Sequence, residues 1–341
     1  TRACATSFQT VTSGAESILA GNADIVIAGG TDSTSSVRLP MSPKFSSTLR
    51  DVNFAKTIKD RVKLLSTLRP KDLLPMEPSI TEFSVGETMG QSTEKMVKKW
   101  GVTRKEQDDL AFASQANAAK SWKEGWMDKQ VIAATLPSGK VVKEDNLVRK
   151  NPDRAAYDNL KPCFDFSGAG TVTAGNASPL TDGASCVLLM SEEKAKALGY
   201  KPLGYIRSSA FAAKTPQDDL LMGPVLAAPI ALDRAGLTLN DMTIIDMHEA
   251  FAGQVLCNIR GLASDEYAKT MMNRKKAVGE VDFSKLNVNG GSIAFGHPFG
   301  ATGTRIISQV LYELNRRGGG FALTTACAAG GIGAAMILEV D

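Results

Sequence analysis

The sequence predicts a duplicated α/β fold: two related halves, each a mixed sheet with helices packed on it, separated by a long, mostly helical insertion. Three observations carry this. After Cys4, apolar and small residues at Phe8, Val11, Ala15, Ile18 and Leu19 follow the helical period, Gly21 closes the run, and ADIVIAGG reads as a buried strand. Near the other end GATGTRIISQVLYELNRRGG repeats that plan through Ile306, Ile307, Val310, Leu311 and Leu314, and strand-like FALTTACAAGG follows its glycine stop. Finally, DGASCVLLMS (Asp182 to Ser191) and GIGAAMILEV (Gly331 to Val340) are glycine-led runs of buried-strand character, each the strand after its unit. Units that recur in one order indicate internal duplication, and alternating helices and strands build layered α/β sheets.

The division expected is residues 1–33 with 169–200 as the first half, 34–168 as the insertion and 201–341 as the second half. The insertion is richer in charge and proline. Within it Lys56 to Lys71 carries six basic residues against one acid, and Thr103 with Glu106 three residues on forms a capping-box pattern ahead of a helix. The basic stretch reads either as a solvated helix face or as a face for phosphate, a partner or a membrane.

At 341 residues and 43% hydrophobic composition the chain can bury a large core, and roughly 150 residues per domain suggests about two domains. No segment approaches the ~18 apolar residues of a membrane span, and the start lacks the basic-then-apolar order of a secretory signal. A net charge of +3 is too small to point to nucleic acid. Five scattered cysteines without a CxxC pair argue against a disulfide framework or zinc site and fit a reducing compartment.

Only two histidines, His248 and His297, are available for imidazole chemistry. His297 lies in NVNGGSIAFGHPFGATG, where glycines let backbone approach a ligand and aim a ring from a tight turn. His248 follows the apolar run MTIID, where a strand should end. Cys327 sits in glycine-rich TTACAAGGIGAA, while Cys163, Cys186 and Cys257 have ordinary surroundings and read as packing residues. Cys4, at a helix N-terminus, is placed to favour the thiolate, with pKa values of about 3.5 to 7.5 in such positions. A histidine to take its proton, a second thiol as acid and base, and backbone amides for an oxyanion would complete acyl transfer through a thioester. Thr1 raises a rival, an N-terminal-threonine hydrolase, but nothing downstream supplies that architecture.

RACATS, GTVTAGNASPLTDGA, DMHEAFA, GGSIAFGHPFGATG and TACAAGGIGAA, in this order, closely resemble the thiolases, and the similarity covers essentially the whole chain. HEAF for the commoner NEAF, and CAAGG for CxGGG, look most like the thiolase subunits of trifunctional fatty-acid oxidation complexes. The resemblance implies the layered α-β-α-β-α thiolase fold and thiolytic cleavage of 3-ketoacyl-CoA, with CoA as co-substrate and no permanently bound cofactor. It places the nucleophile at Cys4, its base at His297, and the proton-moving cysteine at Cys327. His248 falls where most thiolases have an asparagine, so that His248 and His297 would hold one oxyanion and the backbone N–H groups of Cys4 and Ala329 the other. CoA contacts are implied at Met89, Gly223, Ala228, Ala250 and Phe251, with Ala228 replacing a usual serine and Thr88 a usual histidine.

The resemblance also implies two or three βα units of about 30 residues each before the nucleophile helix. None is present here, so half of the first sheet is expected to be missing, and these residues alone are expected to be unstable or inactive. A homodimer bound to a hydratase/dehydrogenase α subunit, with peripheral membrane contact through the insertion, is implied as well. The implied setting is the bacterial cytoplasm, or the mitochondrion in a eukaryote. The competing readings are a β-ketoacyl synthase, which shares the duplicated fold but needs no second thiol such as Cys327, and a non-catalytic CoA-binding subunit.

Overall fold

Cys4 lies in a short 3₁₀ turn, Ala3–Ala5, that runs straight into helix α1 (Thr6–Leu19). The computed structural model that shows this describes residues 1–37, 39–76, 80–217 and 219–341. Helix α1 turns Phe8 and Val11 inward. After Gly21, at φ 73°, the chain enters strand β1 (Ile25–Asp32), which pairs antiparallel with β2 (Gly183–Met190). Alternation divides this pair by face. Ala28, Val187 and Leu189 join the core under α1, whereas Ile25, Ile27 and Leu188 point the other way and are exposed.

Contacts divide the chain into two compact units, Thr1–Asp32 with Glu82–Asp341, and Ser33–Thr81. The smaller unit holds α2 (Pro43–Phe54) and α3 (Ile58–Leu65), which pack on each other. Each is capped by a hydroxyl: Ser42 Oγ accepts from Phe45 N at 3.1 Å, and Thr57 Oγ1 from Asp60 N at 3.1 Å. No residue of α3 is buried.

The rest of the expected insertion belongs to the larger unit. Helix α4 (Met89–Lys99) and helix α5 (Arg104–Lys123) both pack on a helix of the second half. The capping box expected at Thr103 forms: its Oγ1 accepts from Glu106 N at 3.2 Å, and Glu106 Oε2 accepts from Thr103 N at 2.7 Å. Sequence periodicity identifies these helices but is blind to the long-range contacts that decide which body they join.

The second half is a four-stranded mixed sheet in the order β3-β6-β5-β4: β3 (Tyr205–Ala213), β4 (Met242–Met247), β5 (Gly320–Ala328) and β6 (Ile332–Val340). Strand β6 runs antiparallel to β3 and β5, while β4 is parallel to β5, as expected for a connection that crosses through helices. Helix α6 (Gly223–Ala235) covers one face. On that side Leu323, Cys327, Ala335 and Ile337 meet Val225, Ala228 and Leu232, together with α7 (Ala252–Leu262). On the other side Ala322, Ala326, Ala334 and Met336 meet Phe8 of α1 and Ile306 and Val310 of α9 (Thr302–Arg317), which follows the single turn α8 (Ser292–Phe295). With both faces covered, β5 reads as an almost continuous apolar run.

The sequence duplication is therefore structural. Units α1-β1-β2 and α9-β5-β6 each consist of a helix and an antiparallel strand pair, and the two helices pack together. Glycine permits two close approaches between the copies. A Cβ on Gly303 would lie 2.7 Å from Phe8 N, and one on Gly30 only 1.9 Å from Gly300 O.

Candidate active site

The turn that presents Cys4 is strained. Ala3 sits at φ 46°, an uncommon conformation for a residue with a side chain. Cys4 keeps some exposed surface, yet its thiol is enclosed by protein and receives its own backbone N–H and that of Ala329. Ala329 is aimed by a turn in which Gly330 and Gly331 take φ 80° and 70°, and a Cβ on Gly331 would strike Lys214 O at 2.2 Å.

His248 follows the end of β4, where its N–H donates to Thr325 O at 2.8 Å. His297 follows Gly296, at φ 88°, and its N–H donates to Pro179 O at 2.9 Å. Both rings are buried, with centroids 4.1 Å apart. Nδ1 of each contacts a hydroxyl: His248 with Ser292 Oγ at 2.8 Å, and His297 with Thr302 Oγ1 at 2.7 Å. Both Nε2 atoms are buried without a hydrogen-bond partner among the described residues. Nitrogen atoms of the two rings and Cys4 Sγ all lie within 4.8 Å of one another, the one such trio of potential metal ligands among the described residues.

Burial dominates the electrostatics. It pushes the Cys4 thiol up to about 12 against the opposing pull of the two N–H groups, and it takes the His297 imidazole down to about 3. His248 is lowered well below its ordinary value by burial first, then by His297 and Arg305. The low thiol pKa expected for Cys4 at a helix N-terminus is thus corrected, because enclosure outweighs the helix end. At rest the thiol and both imidazoles are neutral. Transfer within the Cys4–His297 pair is easier than charging either group alone, since the thiolate and imidazolium formed together attract each other.

Cys327 lies on β5 opposite Gly333, buried, with its thiol raised well above the usual value by burial and by the repulsion a Cys4 thiolate would exert. Cys4, His248 and His297 are thereby brought to one place, with Cys327 near enough to Cys4 for their charges to interact. Of the implied CoA contacts, Met89 begins α4, Gly223 begins α6, and Ala250 and Phe251 precede α7, with Phe251 edge-on to Phe164 at 5.8 Å. Ala228 has no exposed surface, and it shares a core cluster with Phe251 and Cys327. A surface cavity of about 460 Å³ lined by Lys99, Trp100, Lys214, Asp219 and Tyr267 shares no residue with the Cys4 cluster.

A supporting layer escaped sequence reasoning. Asn287, at φ 43°, clamps the end of β4: its Oδ1 accepts from Met247 N at 2.8 Å, and its Nδ2 donates to Met247 O at 2.9 Å and Glu249 Oε1 at 2.6 Å. Glu249 also accepts from Ser114 Oγ at 2.7 Å and Ile293 N at 3.1 Å, and burial raises its pKa. Gly291 is required here because a Cβ would lie 2.4 Å from that carboxylate. Arg305, partly buried near Asp246 and Glu249, donates to Ser292 Oγ at 3.0 Å. Ser292, Thr302 and Arg305 carry no sequence signal of their own. The nearest to one is position, since Ser292 and Thr302 each lie four residues from the GHP segment and Arg305 seven.

The comparisons agree with one another. Residues 1–193 match the family profile described as thiolase, N-terminal domain, and residues 200–340 that of thiolase, C-terminal domain. The chain is 54% identical over 341 residues to 3-ketoacyl-CoA thiolases of Yersinia pestis (strain Pestoides F) and Yersinia pseudotuberculosis (serotype O:1b, strain IP 31758), covering all of this chain and 78% of each relative. Among solved structures, human mitochondrial 3-ketoacyl-CoA thiolase in complex with CoA matches with a TM-score of 0.81 at 31% identity, over 100% of this chain and 77% of that one. Bacillus anthracis acetyl-CoA acetyltransferase matches with a TM-score of 0.80 at 29% identity, over 99% and 77%.

Proposed function

The chain belongs to the thiolase family, and on that premise we propose that it cleaves 3-ketoacyl-CoA with CoA, giving acetyl-CoA and a shortened acyl-CoA in fatty-acid β-oxidation. One observation carries the assignment of residues: two thiols and two imidazoles converge in a buried site beneath two backbone N–H groups. His297 Nε2 takes the Cys4 proton, and the thiolate attacks the 3-keto carbon of the substrate. The bond between C2 and C3 then breaks, leaving the acyl group on Cys4 and expelling acetyl-CoA as its enolate. Cys327 delivers a proton to C2, while His248 and His297 hold the enolate oxygen. In the second half, Cys327 as thiolate takes the proton of the incoming CoA thiol, whose sulfur attacks the Cys4 thioester. The tetrahedral oxyanion rests against the N–H groups of Cys4 and Ala329, and Cys4 leaves and recovers its proton from His297. Preorganised donors in a water-poor site stabilise such developing charge far better than water does.

CoA and acyl-CoA are the small-molecule partners, and no cofactor is held between turnovers. In this reading Met89, Ala250 and Phe251 line the CoA path, whereas the implied contacts at Gly223 and Ala228 are corrected, because both are buried in the packing of α6 on the sheet. Support for the chemistry comes from the curated relatives, whose names give the same reaction, and from the human mitochondrial enzyme solved with CoA. The test is direct. Incubation with a 3-ketoacyl-CoA and no free CoA should add one acyl mass to the peptide containing Cys4, and Cys4→Ala should lower kcat by at least about a thousandfold. Malonyl-dependent decarboxylative condensation without CoA-dependent cleavage would instead establish a synthase.

The assembly proposed is a dimer of thiolase chains with a hydratase/dehydrogenase subunit, in the bacterial cytoplasm, and the Lys56 to Lys71 stretch is its docking or membrane-facing surface. No helix among the described residues is long and apolar enough to cross a membrane. Supporting a peripheral contact, Ile58, Val62 and Leu65 are exposed at helical spacing among those lysines and arginines. Reversing the charge of Lys59, Lys63 and Lys71 should weaken sedimentation with anionic vesicles or recovery of the partner subunit. Retention of both would remove the proposal.

A further inference from the structure

The two histidines are chemically equivalent side chains 4.1 Å apart, both neutral at rest, and the reaction asks them for different starting states. One must begin with a lone pair on Nε2 to accept the Cys4 proton. The other serves best with a hydrogen on Nε2, to donate to an oxygen. A neutral imidazole presents one or the other, and the hydrogen bond at Nδ1 selects between them.

At His248 the selector is Ser292. Its Oγ accepts from Arg305 Nη2 at 3.0 Å, a donor that cannot reverse because guanidinium has no acceptor. Ser292 has no exposed surface, and among the described residues the one acceptor its own hydroxyl hydrogen reaches is His248 Nδ1, at 2.8 Å. If Nδ1 carried the proton, Ser292 would accept twice and bury its own hydrogen unpaired, at a cost of about 1–3 kcal/mol. Nδ1 therefore accepts, and the hydrogen of His248 is on Nε2.

At His297 the polarity is opposite. Thr302 Oγ1 donates to Pro298 O at 3.4 Å, which leaves its oxygen to accept from His297 Nδ1 at 2.7 Å. The hydrogen of His297 is then on Nδ1, and its Nε2 lone pair is bare. Among the described residues neither Nε2 has a partner that would oppose this.

We propose that Ser292, backed by Arg305, and Thr302 are positioning residues that hold His248 and His297 in opposite tautomers, preset as oxyanion donor and proton acceptor respectively. The proposal rests on the thiolase reading for what the tautomers are used for, but not for which tautomers they are. It explains why an arginine is partly buried beside a neutral imidazole: it fixes the direction of a hydroxyl rather than pairing with the ring.

Because the chain has only two histidines, nitrogen-15 labelling of histidine makes the tautomers directly readable. In the folded wild-type protein, long-range proton–nitrogen spectra should show one ring with a pyrrole-type Nε2 and the other with a pyrrole-type Nδ1, and the His248→Asn spectrum assigns which is which. Two rings of the same tautomer overturn the proposal whether or not any variant folds, and so does the reverse assignment read from the His248→Asn spectrum. Ser292→Ala should release the His248 preference and lower kcat by about 10- to 100-fold with little change in KM, and Ser292→Thr, which keeps the hydroxyl, should recover most of that loss. Wild-type kcat in Ser292→Ala also overturns it. Opposite tautomers in a protein that never acylates Cys4 would instead leave this inference standing and remove the reaction assigned above.

Discussion

At the scale of single residues, enclosure sets the chemistry. In the proposed mechanism the neutral form of His297 is the base, and burial that takes it down to about 3 keeps it neutral far below the ordinary imidazole range. Since kcat/KM reports the free enzyme, its profile should show no acid limb near 6.5 and should stay flat as pH falls from about 8 to about 5. A fall centred between about 6 and 7 would mean that His297 is solvated or paired with a charge that the structure does not contain. What could be foreseen at this scale followed local context. Cys4, His248, His297 and Cys327 stand at strand ends or in glycine-rich turns, which a sequence displays. Ser292, Thr302 and Arg305 are ordinary helix-forming or capping residues, and only the fold shows that their polar atoms meet the imidazoles.

At the scale of elements, the site depends on two helix starts held against each other. Thr304 N donates to Ser7 Oγ at 3.0 Å beside the Gly303–Phe8 approach. Gly303→Ala places a methyl 2.7 Å from Phe8 N and 2.8 Å from Phe8 Cδ2 and Ser7 Oγ; the side chains could turn away but the backbone nitrogen cannot, so α1, which follows the Cys4 turn, must shift. The expected result is a loss of about 1–3 kcal/mol in urea unfolding together with a fall in kcat larger than any change in overall helix content by circular dichroism. Unchanged activity would show that α1 adjusts without moving Cys4. The helices and strands themselves were legible from period, since α1 with β1 and α9 with β5 have the same apolar spacing and glycine stops. The boundary of the insertion was not, because α4 and α5 are charged like the preceding stretch yet pack on α7, more than a hundred residues downstream.

At the scale of the whole molecule, the two strand pairs of the duplication differ in how they are covered. Strands β5 and β6 are buried on both faces, whereas β1 and β2 show one face outward, with Ile27 75% and Leu188 52% exposed and paired directly across the strands. Contiguous apolar surface of this kind favours association. A polypeptide of these 341 residues should bind the dye ANS and grow in light-scattering mass with concentration. Ile27→Lys with Leu188→Lys should reduce both, and no reduction would place the sticky surface elsewhere. The glycine approaches between the copies have a different kind of consequence. Each lets a backbone of one copy occupy space that a side chain on the other would need, as Gly30 does for the carbonyl of Gly300. The two halves are therefore not interchangeable parts. A chimera joining the first half of one relative to the second half of another would keep its chemistry only if both donors left these same volumes vacant, whatever their catalytic residues.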